Sequence, residues 1–317
     1  MPAREITFLG TASQVPTRHR NHNGIFVRWD TLGLLIDPGE GTQRQLLLAG
    51  IAATQITHIL ITHFHGDHCL GLAALSQRIS LDRVPHPVEV IYPASGQVFF
   101  ERLRYASIYK EQATLIPKPL ALSAEAPDGP ILASEIPGAR LKIWARPLLH
   151  RVECFGYRIE EDDGYRMLPE RLAALGVTGP KIKQLQTDGQ IEIGGKLIRL
   201  DEVSEPRTGQ KLAVLMDTRP CPGAEKLAEN VDVLISEATF TREHEQEAHD
   251  YAHMTAAQAA QIAVTAKARK LVLTHFSQRY TSTAGHVAEA SAIFPEVVAA
   301  EDFARVPVPP RREESIS

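Results

Sequence analysis

Short apolar runs alternate along the chain with segments in which apolar residues recur at helical spacing. The runs predict strands at residues 6–9, 25–29, 32–36, 56–62, 88–92, 141–147, 155–159, 212–215, 231–235 and 270–274. The spaced segments predict helices at residues 42–49, 70–80, 94–105, 224–230 and 255–268. Strands and helices in alternation are typical of an α/β protein, here in two series that flank an irregular stretch at residues 160–210.

Composition supports a globular chain with a sizeable core. The 317 residues are 44% hydrophobic and 23% charged, with 34 basic against 38 acidic side chains and a net charge of −4. This balance argues against a disordered chain and against a globally basic protein that coats nucleic acid. The apolar runs are too short to span a bilayer, and we expect no secretory signal. The three scattered cysteines favour a reducing compartment, so we expect a cytoplasmic location without membrane partners.

Four potential metal ligands lie within six residues after the apolar run 56–62, in the order His63, His65, Asp67 and His68. In an extended loop His63 and His65 point the same way and can hold one ion, while Asp67 and His68 face a neighbouring site. Zinc is bound by such imidazole and carboxylate groups. The alternative is a polar surface loop with incidental histidines, but a buried strand that leads directly into four ligands favours a metal site.

One loop cannot fill two coordination spheres, so further ligands are expected at other strand ends. His150, Asp217 and His275 each follow an apolar run. Taken singly, each is better explained as a capping or hydrogen-bonded polar residue. As a set, they supply the ligands that a dinuclear site lacks.

The His-x-His-x-Asp-His pattern resembles the signature of the metallo-β-lactamase fold, and further motifs resemble the ribonuclease Z family, whose members mature tRNA 3′ ends. These motifs are GTASQVPTRHRN from Gly10, DPGEGTQRQL from Asp37, AVLMDTRP from Ala213, EATF from Glu237, AHMTA from Ala252 and THFSQRY from Thr274. Pro38 and Met216 stand where many members have Cys and Gly. The resemblance implies an αβ/βα four-layer sandwich over residues 1–305 with an RNA-binding arm inserted at about 165–195. Residues 306–317 are rich in Pro, Arg and Glu, and we expect them to form a flexible tail.

The resemblance also implies two zinc ions per chain, with manganese or another divalent metal as an alternative. The first ion would be held by His63, His65, His150 and Asp217. The second would be held by Asp67, His68, Asp217 and His275. A metal-bridging hydroxide would attack the phosphodiester.

The resemblance further assigns catalytic roles to two residues. Asp67 would act as general base. His253 would protonate the leaving 3′-oxygen, although by its sequence position alone it merely precedes a helix N-terminus. Glu237, at the end of a strand, is a candidate for orienting His253.

For the RNA substrate, Arg18 and Arg20 lie in a loop expected near the site, and Lys181 and Lys183 follow a Gly-Pro pair in the arm. The resemblance assigns all four to binding precursor tRNA, whereas a solvated loop and a mobile surface segment are the plainer explanations. The family is typically homodimeric, with helix 70–80 as a plausible interface.

The sequence therefore predicts a zinc-dependent endoribonuclease that cuts precursor tRNA after the discriminator nucleotide and leaves a 3′-hydroxyl. The alternative is a hydrolase of a small ester, thioester or sulfate on the same fold. A non-enzymatic RNA-binding relative is disfavoured because every ligand position is filled.

Overall fold

The computed structural model describes residues 4–123 and 125–311, which form two compact units. Among the described residues, the larger unit comprises 4–123, 125–160 and 211–309, and the smaller comprises 161–210 together with 310 and 311. The smaller unit is wider than the arm predicted at 165–195. No helix in the described ranges combines the length and apolarity needed to cross a membrane.

The larger unit contains two sheets of seven strands each. The first sheet has the order β18-β1-β2-β3-β4-β5-β6, in which the strands are β1 (Arg4–Gly10), β2 (Gly24–Trp29), β3 (Leu32–Ile36), β4 (His58–Leu60), β5 (Val88–Pro93), β6 (Leu115–Leu120) and β18 (Arg305–Pro307). The second has the order β17-β16-β15-β14-β9-β8-β7, in which the strands are β7 (Ile131–Ile136), β8 (Leu141–Pro147), β9 (Phe155–Glu161), β14 (Lys211–Leu215), β15 (Val233–Glu237), β16 (Leu271–Thr274) and β17 (Val297–Ala299).

Helices cover the outer faces of these sheets. Those of the larger unit are α1 (Thr42–Leu48), α2 (Gly66–Cys69), α3 (Gly71–Leu81), α4 (Gln97–Arg104), α7 (Pro222–Ala228), α8 (Glu245–Tyr251), α9 (Ala256–Thr265) and α10 (Ala284–Ser291). Side chains alternate between the two faces of each strand. In β16, for example, Val272 enters the core between the sheets, whereas Leu271 and Leu273 pack with the helices. The predicted four-layer α/β sandwich is confirmed.

The long helix α9 illustrates how local sequence sets an element boundary. Thr255 occupies the N-cap, and its side chain accepts a hydrogen bond from the Gln258 backbone N–H at 3.2 Å. The Gln258 side chain accepts one in return from the Thr255 N–H at 3.0 Å. This reciprocal capping satisfies two backbone donors and begins the helix where the Thr-x-x-Gln pattern indicates.

Two predicted boundaries differ in the larger unit. The strand predicted at 56–62 is shorter, because beyond Leu60 the Thr62 backbone N–H donates to the Asp37 carboxylate at 2.7 Å. The tail predicted from residue 306 begins too early, because β18 pairs with β1 and buries Val306 and Val308. The rest of that predicted tail, residues 312–317, lies outside the described residues.

The smaller unit contains helices and strands that were not predicted from the sequence. Its elements are β10 (Gly164–Met167), α5 (Pro169–Ala174), α6 (Pro180–Asp188), β11 (Gln190–Ile193), β12 (Lys196–Arg199) and β13 (Ser204–Arg207). Strands β10 and β13 pair antiparallel, as do β11 and β12. Apolar side chains such as Leu172, Leu185 and Ile198 form a separate small core. The first and last residues of the segment 161–210 are adjacent, because the Glu161 N–H donates to the Gln210 carbonyl at 3.0 Å.

Candidate active site

All seven predicted metal ligands come together just beyond strand ends of the larger unit. His63 and His65 follow β4, Asp217 lies two residues after the end of β14, and His275 directly follows β16. Asp217 and His275 have backbone φ angles of 48° and 62°, a left-handed conformation that is unfavourable for residues with a side chain. Such conformations tend to occur at functional sites, which supports a role for both residues.

The loop predicted for residues 63–68 is partly helical. His65 has an extended backbone, but Asp67 and His68 belong to the one-turn helix α2. The His68 N–H donates to the His65 carbonyl at 3.1 Å, so the chain turns immediately after His65. This turn directs Asp67 and His68 to a different position from that reached by His63 and His65.

The first group of donors consists of His63, His65, His150 and Asp217, whose ligand atoms all lie within 4.8 Å of one another. His65 Nδ1 lies 2.9 Å from His63 Nε2 and 3.3 Å from His150 Nε2. Asp217 Oδ2 lies 3.5 Å from His63 Nε2. This is the set predicted for the first metal.

The second group consists of Asp67, His68 and His275. The Nε2 atoms of His68 and His275 face each other at 3.1 Å, and each lies 3.4 Å from Asp67 Oδ2. Asp217 adjoins this group as well, with Oδ1 at 3.2 Å from His275 Nε2 and Oδ2 at 3.3 Å from His68 Nε2. Asp217 is therefore placed between the two groups, as predicted for a bridging ligand.

The donor atoms suit divalent cations. Among the described residues, the buried Asp217 Oδ1 has no hydrogen-bond partner. Burial lowers the pKa of His63, His65 and His150, which favours the neutral imidazole that binds metal. Burial would raise the pKa of Asp217, but the neighbouring imidazoles of His275 and His68 hold it well below its usual range. Imidazole and carboxylate ligands of this kind fit zinc and other divalent transition metals.

Asp37 fixes the orientation of His68, a role that the sequence did not reveal. Its fully buried carboxylate accepts hydrogen bonds from the Thr62 hydroxyl at 2.8 Å and from His68 Nδ1 at 2.8 Å. Burial would lower the pKa of His68, but the neighbouring carboxylates of Asp217, Asp67 and Asp37 raise it well above its ordinary value. In the neutral form that binds metal, Nδ1 would keep its proton for Asp37, and Nε2 would present its lone pair to the second group. The signals available in the sequence were a turn, Asp37-Pro38-Gly39, and the family motif that begins at Asp37, and neither assigned a role to this carboxylate.

Two other histidines are oriented through Nδ1. The Thr239 hydroxyl donates to Glu237 at 2.6 Å, so it accepts from His275 Nδ1 at 3.0 Å. His150 Nδ1 donates to the Ala252 carbonyl at 3.0 Å. Both arrangements leave Nε2 available as a ligand.

His253 is paired with Glu237 beside the donor groups. Its Nδ1 lies 3.0 Å from Glu237 Oε1, which is the pairing suggested by the sequence. Burial would lower the pKa of His253, but the carboxylates of Glu237 and Asp217 raise it to about 9. His253 is therefore a proton donor at neutral pH.

The donor groups form the floor of a cleft of about 600 Å³. His65, Asp67, Asp217 and His253 line it. Its walls include side chains that were not predicted as site residues, namely Phe240, Tyr251, Arg151, Ser277 and Arg279.

The predicted substrate-binding residues do not line this cleft. Arg18 is exposed in the loop, and the Arg20 guanidinium donates to the Tyr280 carbonyl at 2.9 Å and lies over the Phe276 ring at 5.2 Å. Arg20 therefore anchors the loop to the sequence around Phe276. Lys181 and Lys183 are exposed on α6 of the smaller unit.

Comparisons with known proteins agree with this architecture. Residues 17–151 match the metallo-β-lactamase superfamily, and residues 202–276 match the β-lactamase superfamily domain. The chain is 54% identical to ribonuclease Z of Nocardia farcinica over 98% of this chain and 100% of the relative. It is 55% identical to ribonuclease Z of Streptomyces coelicolor over the same shares.

A solved structure of a relative also matches this chain over nearly its full length. The short form of human tRNase Z superposes with a TM-score of 0.70 at 27% identity, covering 96% of this chain and 99% of the human chain. Sequence and fold are thus similar over nearly the full length. The chain belongs to the ribonuclease Z family of the metallo-β-lactamase superfamily.

Proposed function

We propose that this protein is an endoribonuclease that removes the 3′ trailer from precursor tRNA. It cuts after the discriminator nucleotide and leaves a 3′-hydroxyl on the tRNA. The observation that carries the proposal is the cleft floor, where Asp217 lies between two donor groups and the Glu237–His253 pair lies beside them. The names of the relatives, ribonuclease Z and tRNase Z, support the choice of substrate.

Two zinc ions are the cofactors that we propose for these groups. His63, His65 and His150 would hold one, Asp67, His68 and His275 the other, and Asp217 both. When bound, these cations would supply positive charge to offset the charge that develops on the scissile phosphate.

Asp67 acts on the proton of the attacking water, and His253 supplies the proton to the leaving oxygen. Burial would raise the pKa of Asp67, but the imidazoles of His68 and His275 hold it far below its usual range, so it is ionised throughout the neutral range. The Asp67 carboxylate orients the attacking water and takes up its proton as the water oxygen bonds to phosphorus and the bond from phosphorus to the 3′-oxygen breaks. His253 Nε2 then donates a proton to the departing 3′-oxygen, while Nδ1 is hydrogen-bonded to Glu237.

We assign tRNA binding outside the cleft to the smaller unit and its exposed lysines, Lys181 and Lys183. Structured RNA is recognised mainly by its shape and backbone, which suits a unit with exposed cations. Arg18, which is also exposed, is a further candidate phosphate contact.

We also propose a homodimer. Large apolar side chains are exposed at the neighbouring helices α1 and α3, including Leu47 at 73%, Leu48 at 54%, Leu70 at 49% and Leu81 at 75%. Exposed apolar surface of this kind marks a protein interface. Sedimentation showing an active monomer would contradict the dimer.

The function is tested by incubating the purified, zinc-loaded protein with a precursor tRNA transcript and mapping both product ends. We expect one cut after the discriminator nucleotide, with a 3′-hydroxyl on the tRNA fragment. Hydrolysis of bis-p-nitrophenyl phosphate without any cut in the transcript would contradict the proposal and favour a small-ester hydrolase.

A further inference from the structure

The cleft is lined by two arginines that differ in their electrostatic environment. The Arg279 guanidinium forms a double ion pair with Glu247, at 2.9 and 2.7 Å, and lies over the Phe240 ring at 4.9 Å. Its charge is therefore largely neutralised. Arg151 has no carboxylate within ion-pairing distance among the residues that the structure describes. Arg151 is thus the cleft arginine whose charge is available to a polyanionic substrate.

The Arg151 side chain is nevertheless held in place. Its guanidinium lies over the Tyr251 ring at 4.9 Å, and one N–H donates to the Asp250 carbonyl. A guanidinium has five N–H donors, so most remain available. A cation fixed in advance loses less conformational entropy when it binds an anion, which favours a specific phosphate contact over a diffuse attraction.

Arg151 is connected both to the first donor group and to the segment that carries His253. It follows His150 of the first donor group, and Tyr251 precedes His253 by two residues. The hydrogen bond from His150 Nδ1 to the Ala252 carbonyl, at 3.0 Å, joins the two segments. Arg151 and Tyr251 therefore lie on the His253 side of the cleft, where the proposed function places the nucleotide that carries the leaving 3′-oxygen.

We propose that Arg151 binds a non-bridging oxygen of the RNA backbone phosphate on the 5′ side of the discriminator nucleotide, and that Tyr251 positions the guanidinium. The inference rests on the proposed function, because that function defines which nucleotide lies beside His253. Guanidinium groups suit this contact, since their paired N–H donors match two phosphate oxygens.

The test pairs Arg151→Ala with one chemical change in the substrate. Cleavage is measured for wild type and variant on a natural precursor tRNA and on one with an uncharged methylphosphonate at the phosphate named above. We expect Arg151→Ala to lower kcat/KM roughly ten-fold or more on the natural RNA, and to have no further effect on the methylphosphonate RNA. The salt dependence of kcat/KM on natural RNA should become shallower by about 0.7 in log–log slope.

Control variants separate this contact from a structural role. Arg102→Ala removes an exposed guanidinium that also lies over an aromatic ring, Phe99 at 6.0 Å, and it should change neither substrate's kinetics. Tyr251→Phe should retain activity, whereas Tyr251→Leu should raise KM for natural RNA.

Equal losses on the two RNAs, or no loss on either, would overturn the assignment to Arg151 while leaving the proposed function intact. A wild-type enzyme that leaves the natural precursor uncut would overturn the proposed function, and this assignment with it.

Discussion

His253 Nδ1 lies 3.0 Å from Oε1 of Glu237, a carboxylate that is fully buried. The same oxygen accepts the Thr218 backbone N–H at 2.7 Å, and the other accepts the Thr239 hydroxyl at 2.6 Å. These bonds fix the carboxylate. Burial would raise the pKa of Glu237, but the charge of His253 and the hydrogen bond to it lower that pKa. Glu237 is therefore the counter-ion of His253, which lines the cleft.

Replacing this counter-ion should shift the pH dependence of cleavage. In the wild type the acidic form of His253 is present below its pKa of about 9 and is lost as the pH rises through that value. Glu237→Gln removes the negative charge, so the pKa of His253 falls and the alkaline limb of kcat moves to lower pH. Single-turnover rates from about pH 6 to 10 measure this. An alkaline limb that is unchanged in Glu237→Gln, with Glu229→Gln as the remote control, would refute the pairing.

Asp217→Ala should abolish cleavage and reduce bound metal at both groups, because Asp217 adjoins each of them. Metal content per chain, measured on dialysed protein, is the primary readout. Asp128→Ala, at an exposed position, serves as the matched control. Two metals per chain and near-normal turnover in Asp217→Ala would be incompatible with a bridging role.

Asp67→Asn keeps the shape of the side chain and removes its charge. We expect turnover to fall at least ~100-fold, as is typical when a group that handles the proton in the transition state is lost. Rates are compared at saturating metal to separate catalysis from binding. Turnover close to wild type under those conditions would exclude the role assigned to Asp67.

Asp37→Asn tests how the second donor group is oriented. Asn tolerates the left-handed backbone at this position, where φ is 49°, so the fold should be retained. The charged acceptor of His68 Nδ1 is lost, and metal affinity should fall about 10- to 100-fold. Chelator competition measures the affinity. Thr62→Val, which removes one donor to Asp37 but leaves the carboxylate, should have the smaller effect, and the reverse order would contradict this account.

The smaller unit can be deleted at the point where its first and last strands pair. Gly164 and Arg207 pair across β10 and β13, so a short Gly-Ser link between them replaces residues 165–206 and keeps the Arg207–Glu161 ion pair. We expect KM for precursor tRNA to rise sharply and hydrolysis of bis-p-nitrophenyl phosphate to persist, because the predicted ligands all lie in the larger unit.

A milder change tests the same unit without a deletion. Lys181→Ala combined with Lys183→Ala should weaken tRNA binding and flatten its salt dependence, since fewer counterions are displaced. Unchanged precursor kinetics after the deletion would show that the unit does not bind tRNA. Loss of both activities would show that the larger unit requires it for folding.

The metal ligands could be predicted from sequence because each follows an apolar run. The strands that these runs form, β4 in one sheet and β8, β14 and β16 in the other, end on the same side of the larger unit. Asp37 could not be assigned in the same way. Its role depends on a hydrogen bond to His68, a residue 31 positions away, and a turn motif does not encode that contact. Arg151 was missed because its significance lies in the absence of a carboxylate partner within the described residues, which only three-dimensional packing reveals.

The packing of the loop that carries Arg18 and Arg20 could not be predicted either. The resemblance assigns both arginines to substrate binding, and in the structure the Arg20 guanidinium is directed to the Tyr280 carbonyl. The regular structure of the smaller unit was missed because its core residues, such as Leu172 and Ile198, are far apart in sequence and its elements are short. Periodicity over so few residues gives a weak signal.

The division of the donor groups between distant segments has a consequence for biosynthesis. Residues 63–68 are made early, but the first group also needs His150 and Asp217, and the second needs His275, which is 207 positions after His68. A chain emerging from the ribosome therefore lacks a complete second group until β16 has been synthesised and paired. Capture of both metal ions would be among the last events of maturation, and it would stabilise only chains in which both sheets have formed.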